Sequence, residues 1–370
     1  PPLKLGSTRA ALPTRDMAKG DWLPDVAKTA CVAAVAAALG WVAARSKEAH
    51  RQRSRRPFQL GTSCGALPAR EAASVGDVAA RPSCEGRAAQ LRALLAQGRL
   101  LVMPCCYDGL TAKLIERMGF ELSFMTGFGV SAARGFPDCQ LVSYQEMLDS
   151  AFSIGSALQR ICCIADGDTG YGNAVNVKRT VRGYAQAGMA GIMIEDQVSP
   201  KRCGHTRGKS VVPRAEAVAR VRAACDARDE GPWDICIMAR TDARATDSMD
   251  EAIRRCQEFI EAGADITFLE APQSEEEMER YCREVKGPKL VNMLPSGTTP
   301  MLPLSRLEEM GFTLAAYPLL LLSAGLKAQL EVLQRLQNGE STSALELDFE
   351  AVKDVVGFTD YYREEARYKA

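Results

Sequence analysis

Histidine is nearly missing from this chain. His50 and His205 are the two that occur in 370 residues, too few for a His-rich metal site. A resident metal would therefore sit on carboxylates, which selects a hard cation, Mg²⁺ with Mn²⁺ as substitute. Net charge is missing too, because 46 Lys+Arg balance 46 Asp+Glu. That excludes a globally basic nucleic-acid binder, and no nucleic-acid module or Walker-type phosphate loop occurs. None of the thirteen cysteines forms a C-x-x-C pair. Their scatter and odd number argue against a disulfide framework and for a reducing compartment. Adjacent pairs such as Cys105-Cys106 and Cys162-Cys163 lie in apolar runs, where thiols act as small hydrophobes.

The charge balance is a cancellation. Residues 1–93 hold 15 Lys+Arg against 7 Asp+Glu, and the remainder holds 31 against 39. Within the basic segment, Thr29–Ala44 is uncharged and rich in Ala and Val. It is shorter than the roughly 20 residues of a membrane span. A dense basic run, Arg45 to Arg56, follows it. This pattern reads as a targeting leader, to plastid or mitochondrion. A membrane anchor through 29–44 and a plain extension, leaving a cytoplasmic protein, are the alternatives. Fold reasoning therefore starts at residue 94.

From Leu100 onward, short apolar runs alternate with helical patterns: Leu100–Cys106, Leu122–Thr126, Ile161–Ala165, Gly191–Ile194, Asp234–Ala239, Ile266–Leu269, Leu290–Met293 and Thr313–Tyr317. Continuous apolar runs suit parallel strands buried on both faces. Gly119, Gly188, Gly263 and Gly311 sit where helices end and favour left-handed caps. Eight such units predict an α/β fold, a (β/α)₈ barrel over 94–340, with a doubly wound sheet as the competing fold. Residues 341–370 form a C-terminal helical segment expected to pack on the barrel or on a neighbouring subunit.

In a (β/α)₈ barrel, chemistry collects at the strands' C-terminal ends. Polar residues follow the apolar runs there: Thr126-Gly127, Asp166-Gly167-Asp168, Glu195-Asp196, Arg240-Thr241-Asp242, Glu270 and Asn292. Asp166, Asp168 and Glu195 crowd three acids that repel unless a divalent cation neutralises them. Lys201-Arg202-Cys203-Gly204-His205 opens a second feature in the loop Gln197–Val212, long enough to act as a lid. Cationic neighbours favour a Cys203 thiolate.

These motifs, "DGDTGYGN", "IEDQVSP" followed by "KRCGH", and "ARTDA", resemble the isocitrate lyase/phosphoenolpyruvate mutase superfamily from about Leu94 to the C-terminus. The nearest branch is that of methylisocitrate and dimethylmalate lyases, petal death protein-like enzymes and carboxyvinyl-carboxyphosphonate phosphorylmutases. The resemblance implies Mg²⁺ on Asp166 and Asp168, with Asp138 and Glu195 acting through water. It implies oxo-acid contacts from Thr126, Gly127, Phe128 and Gly204, a carboxylate clamp at Arg240, and polar contacts from Glu270 and Asn292. Cys203 becomes the acid/base of a carbon–carbon lyase, with His205, Lys201 and Glu195 completing the catalytic set. The family tends to form tetramers that exchange a C-terminal helix.

The implied reaction is retro-aldol cleavage of a 2-hydroxy di- or tricarboxylate. Mutases of the family usually lack "KRCGH", which sets a phosphonate enzyme behind a lyase. Pro318 after Tyr317 separates a lyase from an oxaloacetate hydrolase, where a hydroxyl residue is usual. Two departures point away from a tricarboxylate: Thr206 and Ser323 stand where methylisocitrate lyases usually carry Arg. Losing charged hydrogen bonds of roughly 1.5–3 kcal/mol each favours a smaller substituted malate.

Overall fold

The computed structural model describes residues 84–206 and 208–369. The expected leader features at 29–44 and 45–56 lie outside them. Among the described residues no helix is long and apolar enough to cross a membrane.

Eight parallel strands close into a barrel in sequence order. They are β1 (Leu101–Cys106), β2 (Leu122–Met125), β3 (Cys162–Asp166), β4 (Gly191–Glu195), β5 (Cys236–Thr241), β6 (Ile266–Leu269), β7 (Lys289–Asn292) and β8 (Leu314–Tyr317). Pairing of Leu101 with Leu314 closes the ring. Helices alternate with them, and the expected barrel is the observed fold.

Helix starts follow local capping chemistry. Asp108 with Thr111, Ser143 with Glu146 and Asn173 with Asn176 form reciprocal capping boxes, each satisfying two otherwise orphaned amides. The four helix-closing glycines all take positive φ.

Strand parity sorts the core. Met103, Cys105, Phe124, Ile164, Met193, Met238, Phe268, Leu290 and Ala316 belong to one buried cluster filling the barrel. The alternate residues, such as Cys106, Met125, Cys163, Ile192 and Ile237, pack outward under the helices. Because successive strand residues face opposite sides, the next inward positions are Thr126, Asp166, Glu195, Arg240, Glu270 and Asn292. The barrel's own period thus aims these polar groups at one mouth.

Two boundaries differ from expectation. Cys84–Leu95 forms a helix, α1, so a leader ending at 93 cuts through a barrel element. Ala88, Leu91 and Leu94 join the interior cluster, and Arg87 donates to the carbonyls of Leu158 and Ile161 at 2.7 and 2.9 Å. Alternation of small and charged residues in "GRAAQLRALL" hides this role. The eighth helix, Leu320–Gln337, has no buried residue, unlike the other long helices of the barrel. Leu326, Leu330, Leu333 and Leu336 are exposed. Beyond it, Phe349–Val356 and Phe358–Ala366 are helical and equally unburied.

Candidate active site

The barrel mouth opens a cavity of about 590 Å³ of non-atom space. Thr126, Phe128, Asp138, Asp166, Lys201, Cys203, Gly204, His205, Arg240, Glu270 and Asn292 line it. Phe124, Met193, Phe268, Leu290, Leu294, Pro318 and Leu319 supply apolar wall. Three expected residues stand behind this lining: Gly127, Asp168 and Glu195.

Asp166 ends β3. Its Oδ2 accepts the Gly127 N–H at 3.1 Å and its Oδ1 the Asp168 N–H at 2.9 Å. A Cβ on Gly127 would lie 2.4 Å from Asp166 Oδ2, so only glycine lets the carboxylate sit there. Burial, then the neighbouring Asp168, pushes the Asp166 pKa up to about 6. Asp168 adopts a left-handed backbone, φ 48°, uncommon without glycine. Its Oδ2 accepts from the Tyr171 hydroxyl at 3.0 Å. Its buried Oδ1 has no hydrogen-bond partner, although Lys201 Nζ lies 3.0 Å away.

Lys201 reaches back from the lid, its Nζ 2.5 Å from Asp138 Oδ1. Burial opposes its charge, but Asp168, Asp166, Asp138 and Glu195 outweigh that and hold its pKa well above the usual lysine range. Arg240, at the end of β5, meets Asp242 through Nε and Nη2 at 2.9 and 3.2 Å. It also lies 3.1 Å from Glu270 Oε2 and 3.4 Å from Glu195 Oε2. Burial acts against the Asp242 carboxylate, yet Arg240 and Lys209 bring its pKa down to about 2. Burial drives the Glu195 carboxyl well above the carboxylate range, which favours its protonated form.

His205 Nδ1 accepts the Thr298 N–H at 3.2 Å. In a neutral ring the proton then sits on Nε2, which faces Glu270 Oε1 at 3.1 Å. Asn292 Nδ2 lies 3.4 Å from Glu270 Oε2. The lid is tied at its base by Val198 N–H to the Ser210 carbonyl, 2.9 Å, and by Gln197, whose side chain donates to the Arg202 carbonyl and accepts its N–H.

The structure corrects one sequence expectation about Cys203. Burial raises its pKa above the ordinary thiol value, outweighing the lowering by the His205 N–H and Arg240. That direction favours the thiol, the form able to give a proton. The flanking Lys201 turns its ammonium to Asp138 and Asp168 instead.

Among the described residues no three His, Cys, Asp or Glu side chains converge as a closed metal cage. Asp166 with the orphaned Asp168 Oδ1 still fits a hard cation that keeps much of its water, the habit of Mg²⁺. Charge points the same way. Asp138, Asp166, Asp168, Asp242 and Glu270 are all buried, against Lys201, Arg240 and the lid's Lys209. An anionic substrate would meet net repulsion here without an added cation.

Several participants escaped the sequence reading. Asp242 was visible beside Arg240, but nothing marked it as the guanidinium's anchor. Leu294 follows Asn292 at inward parity and could have been found by counting. Gln140 accepts from the Lys201 N–H and Ser199 hydroxyl at 3.1 and 2.8 Å; a lone loop glutamine gives no signal.

A closed barrel whose polar mouth joins acids, an arginine and a lidded cysteine has the form of a barrel enzyme's active site. The phosphoenolpyruvate phosphomutase family model matches residues 91–337. The chain is 42% identical over 285 residues to 2,3-dimethylmalate lyase of Eubacterium barkeri, covering 76% of this chain and 98% of that protein. A solved oxaloacetate acetylhydrolase with 3,3-difluorooxalacetate superposes at TM-score 0.74 and 34% identity, covering 77% of this chain and 99% of the other. Phosphonopyruvate hydrolase with oxalate and Mg²⁺ superposes at 0.68 and 29%, covering 76% and 99%. The chain belongs to the isocitrate lyase/phosphoenolpyruvate mutase superfamily, and it is a lyase of that superfamily.

Proposed function

We propose that this enzyme is a Mg²⁺-dependent carbon–carbon lyase that cleaves a substituted malate into a 2-oxo acid and a carboxylic acid. The observation that carries this reading is that Cys203 and Arg240 face together into one apolar-walled cavity. Asp166 and Asp168 would hold the metal, with Asp138 and Glu195 bearing on its waters. When bound, Mg²⁺ supplies Lewis-acid stabilisation of the 2-oxo acid oxygens.

Arg240 binds the carboxylate of the oxo-acid half, a task suited to its planar fork. Thr126, Gly127 and Phe128 enclose that half. As the carbon–carbon bond breaks, the hydroxyl carbon becomes a carbonyl and its bonding pair passes to the leaving half as a carboxylic-acid enolate. The hydroxyl proton passes to a carboxylate of the mouth as the bond breaks, Cys203 gives its own proton to the carbanion carbon, and the proton held by the carboxylate then returns the thiolate to a thiol. Such a positioned acid contributes roughly 10²–10⁴ in rate. Lys201, held charged by its acids, stabilises negative charge nearby, and the closed lid excludes water.

Substrate size follows from the same wall. Thr206 is exposed and its hydroxyl serves the Cys203 carbonyl at 2.7 Å. Ser323 is exposed on the eighth helix. Neither offers a third carboxylate a cation, while Phe128, Leu294, Pro318 and Leu319 suit short alkyl groups. The test is a substrate panel with Mg²⁺ and product identification: alkylmalates, methylisocitrate, isocitrate, oxaloacetate and phosphonopyruvate. Alkylmalate cleavage should lead. Preferred turnover of methylisocitrate would overturn the dicarboxylate assignment, acetate with oxalate from oxaloacetate would make it a hydrolase, and phosphoenolpyruvate from phosphonopyruvate a mutase.

Assembly belongs to this proposal. The unburied helices Leu320–Gln337, Phe349–Val356 and Phe358–Ala366 expose more apolar side chains than a monomer tolerates. A second copy of the chain covers them in a homo-oligomer, a tetramer by family resemblance. Light scattering on the full chain and on a chain ending at residue 340 tests this, the shorter chain giving a smaller particle.

A further inference from the structure

The proposed chemistry assigns no role to Lys209, yet this residue is among the most tightly held in the lid. Its side chain is 4% exposed, although it lies in a surface loop and lines no part of the cavity. Its Nζ contacts two groups of different origin. One is the Gly204 carbonyl within the lid. The other is Asp242 Oδ1 at 2.8 Å, on the barrel just past β5.

Asp242 is fully buried and serves Arg240 as well. Oδ1 is shared between Lys209 Nζ and Arg240 Nη2, and Oδ2 takes Arg240 Nε. Gly204 closes the circle, since a Cβ there would lie 2.5 Å from Arg240 Nη2. Lid backbone, lysine, carboxylate and guanidinium thus form one ring of contacts. If the lid opens, Lys209 leaves with it, because both belong to the 197–212 loop. Asp242 then loses its second cation and Arg240 the lid backbone above it.

We propose that Lys209 is the lid latch, a positioning residue that couples closure of the 197–212 loop to the orientation of the Arg240 clamp through Asp242. The first half, the latch, is independent of which reaction occurs. The second half rests on Arg240 binding a carboxylate, as proposed above. Lys209 touches no substrate. Its geometry asks for a donor that reaches both oxygens, so arginine can replace it in part and methionine, of similar length and no charge, cannot.

The experiment is hydrogen exchange of the lid amides in the full chain, with oxalate plus Mg²⁺ as the clamp probe. Lys209→Met should speed exchange across 203–206 by about tenfold or more, the size of one lost charge-assisted hydrogen bond. Exchange in β3, β5 and the other strands should stay at the wild-type rate. Lys209→Arg should recover most of the protection. Oxalate affinity should fall in Lys209→Met and in Asp242→Asn, with the double variant no worse than the poorer single one, since both act in one chain of contacts. Unchanged lid exchange in Lys209→Met, or faster exchange spread evenly over the barrel, overturns the latch. Additive losses of oxalate affinity overturn the coupling to Arg240. A wild-type chain that cleaves no malate but shows the expected lid pattern leaves the latch standing and removes the substituted-malate proposal.

Discussion

Gly127→Ala is a small change with a large expected reach. The added Cβ would stand 2.4 Å from Asp166 Oδ2 and 3.0 Å from its Cγ. The carboxylate cannot simply back away. Its other oxygen is held by the Asp168 N–H, and the Asp166 carbonyl accepts from the buried Tyr184 hydroxyl at 3.0 Å. The glycine cannot move easily either, because it opens the helix Gly127–Ala133, which Thr126 caps. Overpacking of this kind costs about 1–3 kcal/mol, and rotating Asp166 away forfeits a charged hydrogen bond of similar size. A combined loss of about 2–6 kcal/mol should lower Tm by about 4–12 °C for a domain this large. If Asp166 holds the metal as proposed, displacing its carboxylate should weaken Mg²⁺ about 10–100-fold. Scanning calorimetry without metal reads the first quantity and titration calorimetry with Mg²⁺ the second. High Mg²⁺ should restore much of the lost activity. A lowered Tm with unaltered Mg²⁺ affinity would refute Asp166 as a metal residue, and no change in either would refute the contact itself.

Other perturbations separate the parts of the site. Cys203→Ser should cut cleavage by about 10²–10⁴ while oxalate and Mg²⁺ still bind; equal loss of binding would make the thiol a structural group. Gly204→Ala places a Cβ 2.5 Å from Arg240 Nη2 and 2.6 Å from Glu270 Cδ, so the lid should fail to close. Then kcat/KM falls about 100-fold or more at unchanged Tm, and wild-type kinetics would show that closure is not needed. The pH profile tests the Cys203 thiol. Burial raises its pKa, so the proton is present below that value and lost above it. The alkaline fall in kcat should be centred above the free thiol's value of about 8.5 and should be absent in the residual rate of Cys203→Ser; a fall centred lower in wild type would mean a thiolate-like cysteine.

Much of the barrel was legible because its signal is local. Each strand is a short apolar run, four of the helices close on a glycine, and strands and helices alternate. Site positions were legible for the same reason: once Phe124, Ile164, Met238 and Phe268 are known to face inward, parity alone puts Thr126, Asp166, Arg240 and Glu270 at the mouth. What stayed hidden depends on distant partners. Cys203 sits between cationic neighbours in the chain, which suggested a thiolate, but Lys201 turns to Asp138 and Asp168 and burial then decides. The helix Cys84–Leu95 hid because it presents only Ala88, Leu91 and Leu94 to the interior, too few to mark it against a basic, Ala-rich background. The eighth helix was legible as a helix, while its exposed leucines were not, since apolar spacing is the same whether the partner is the barrel or another chain.

Lid spacing shows how sequence and site meet. Lys201, His205 and Lys209 recur every four residues, and each reaches a different carboxylate group of the mouth: Asp138 and Asp168, Glu270, and Asp242. Opening the loop removes all three at once and leaves these acids facing one another, a state that favours water or a divalent cation over an empty pocket. Closing it returns two positive charges and a ring N–H to a space from which water is excluded, where each charge interaction strengthens. These carboxylates therefore anchor the shut lid, Asp138 and Asp168 through Lys201, Glu270 facing His205, and Asp242 through Lys209.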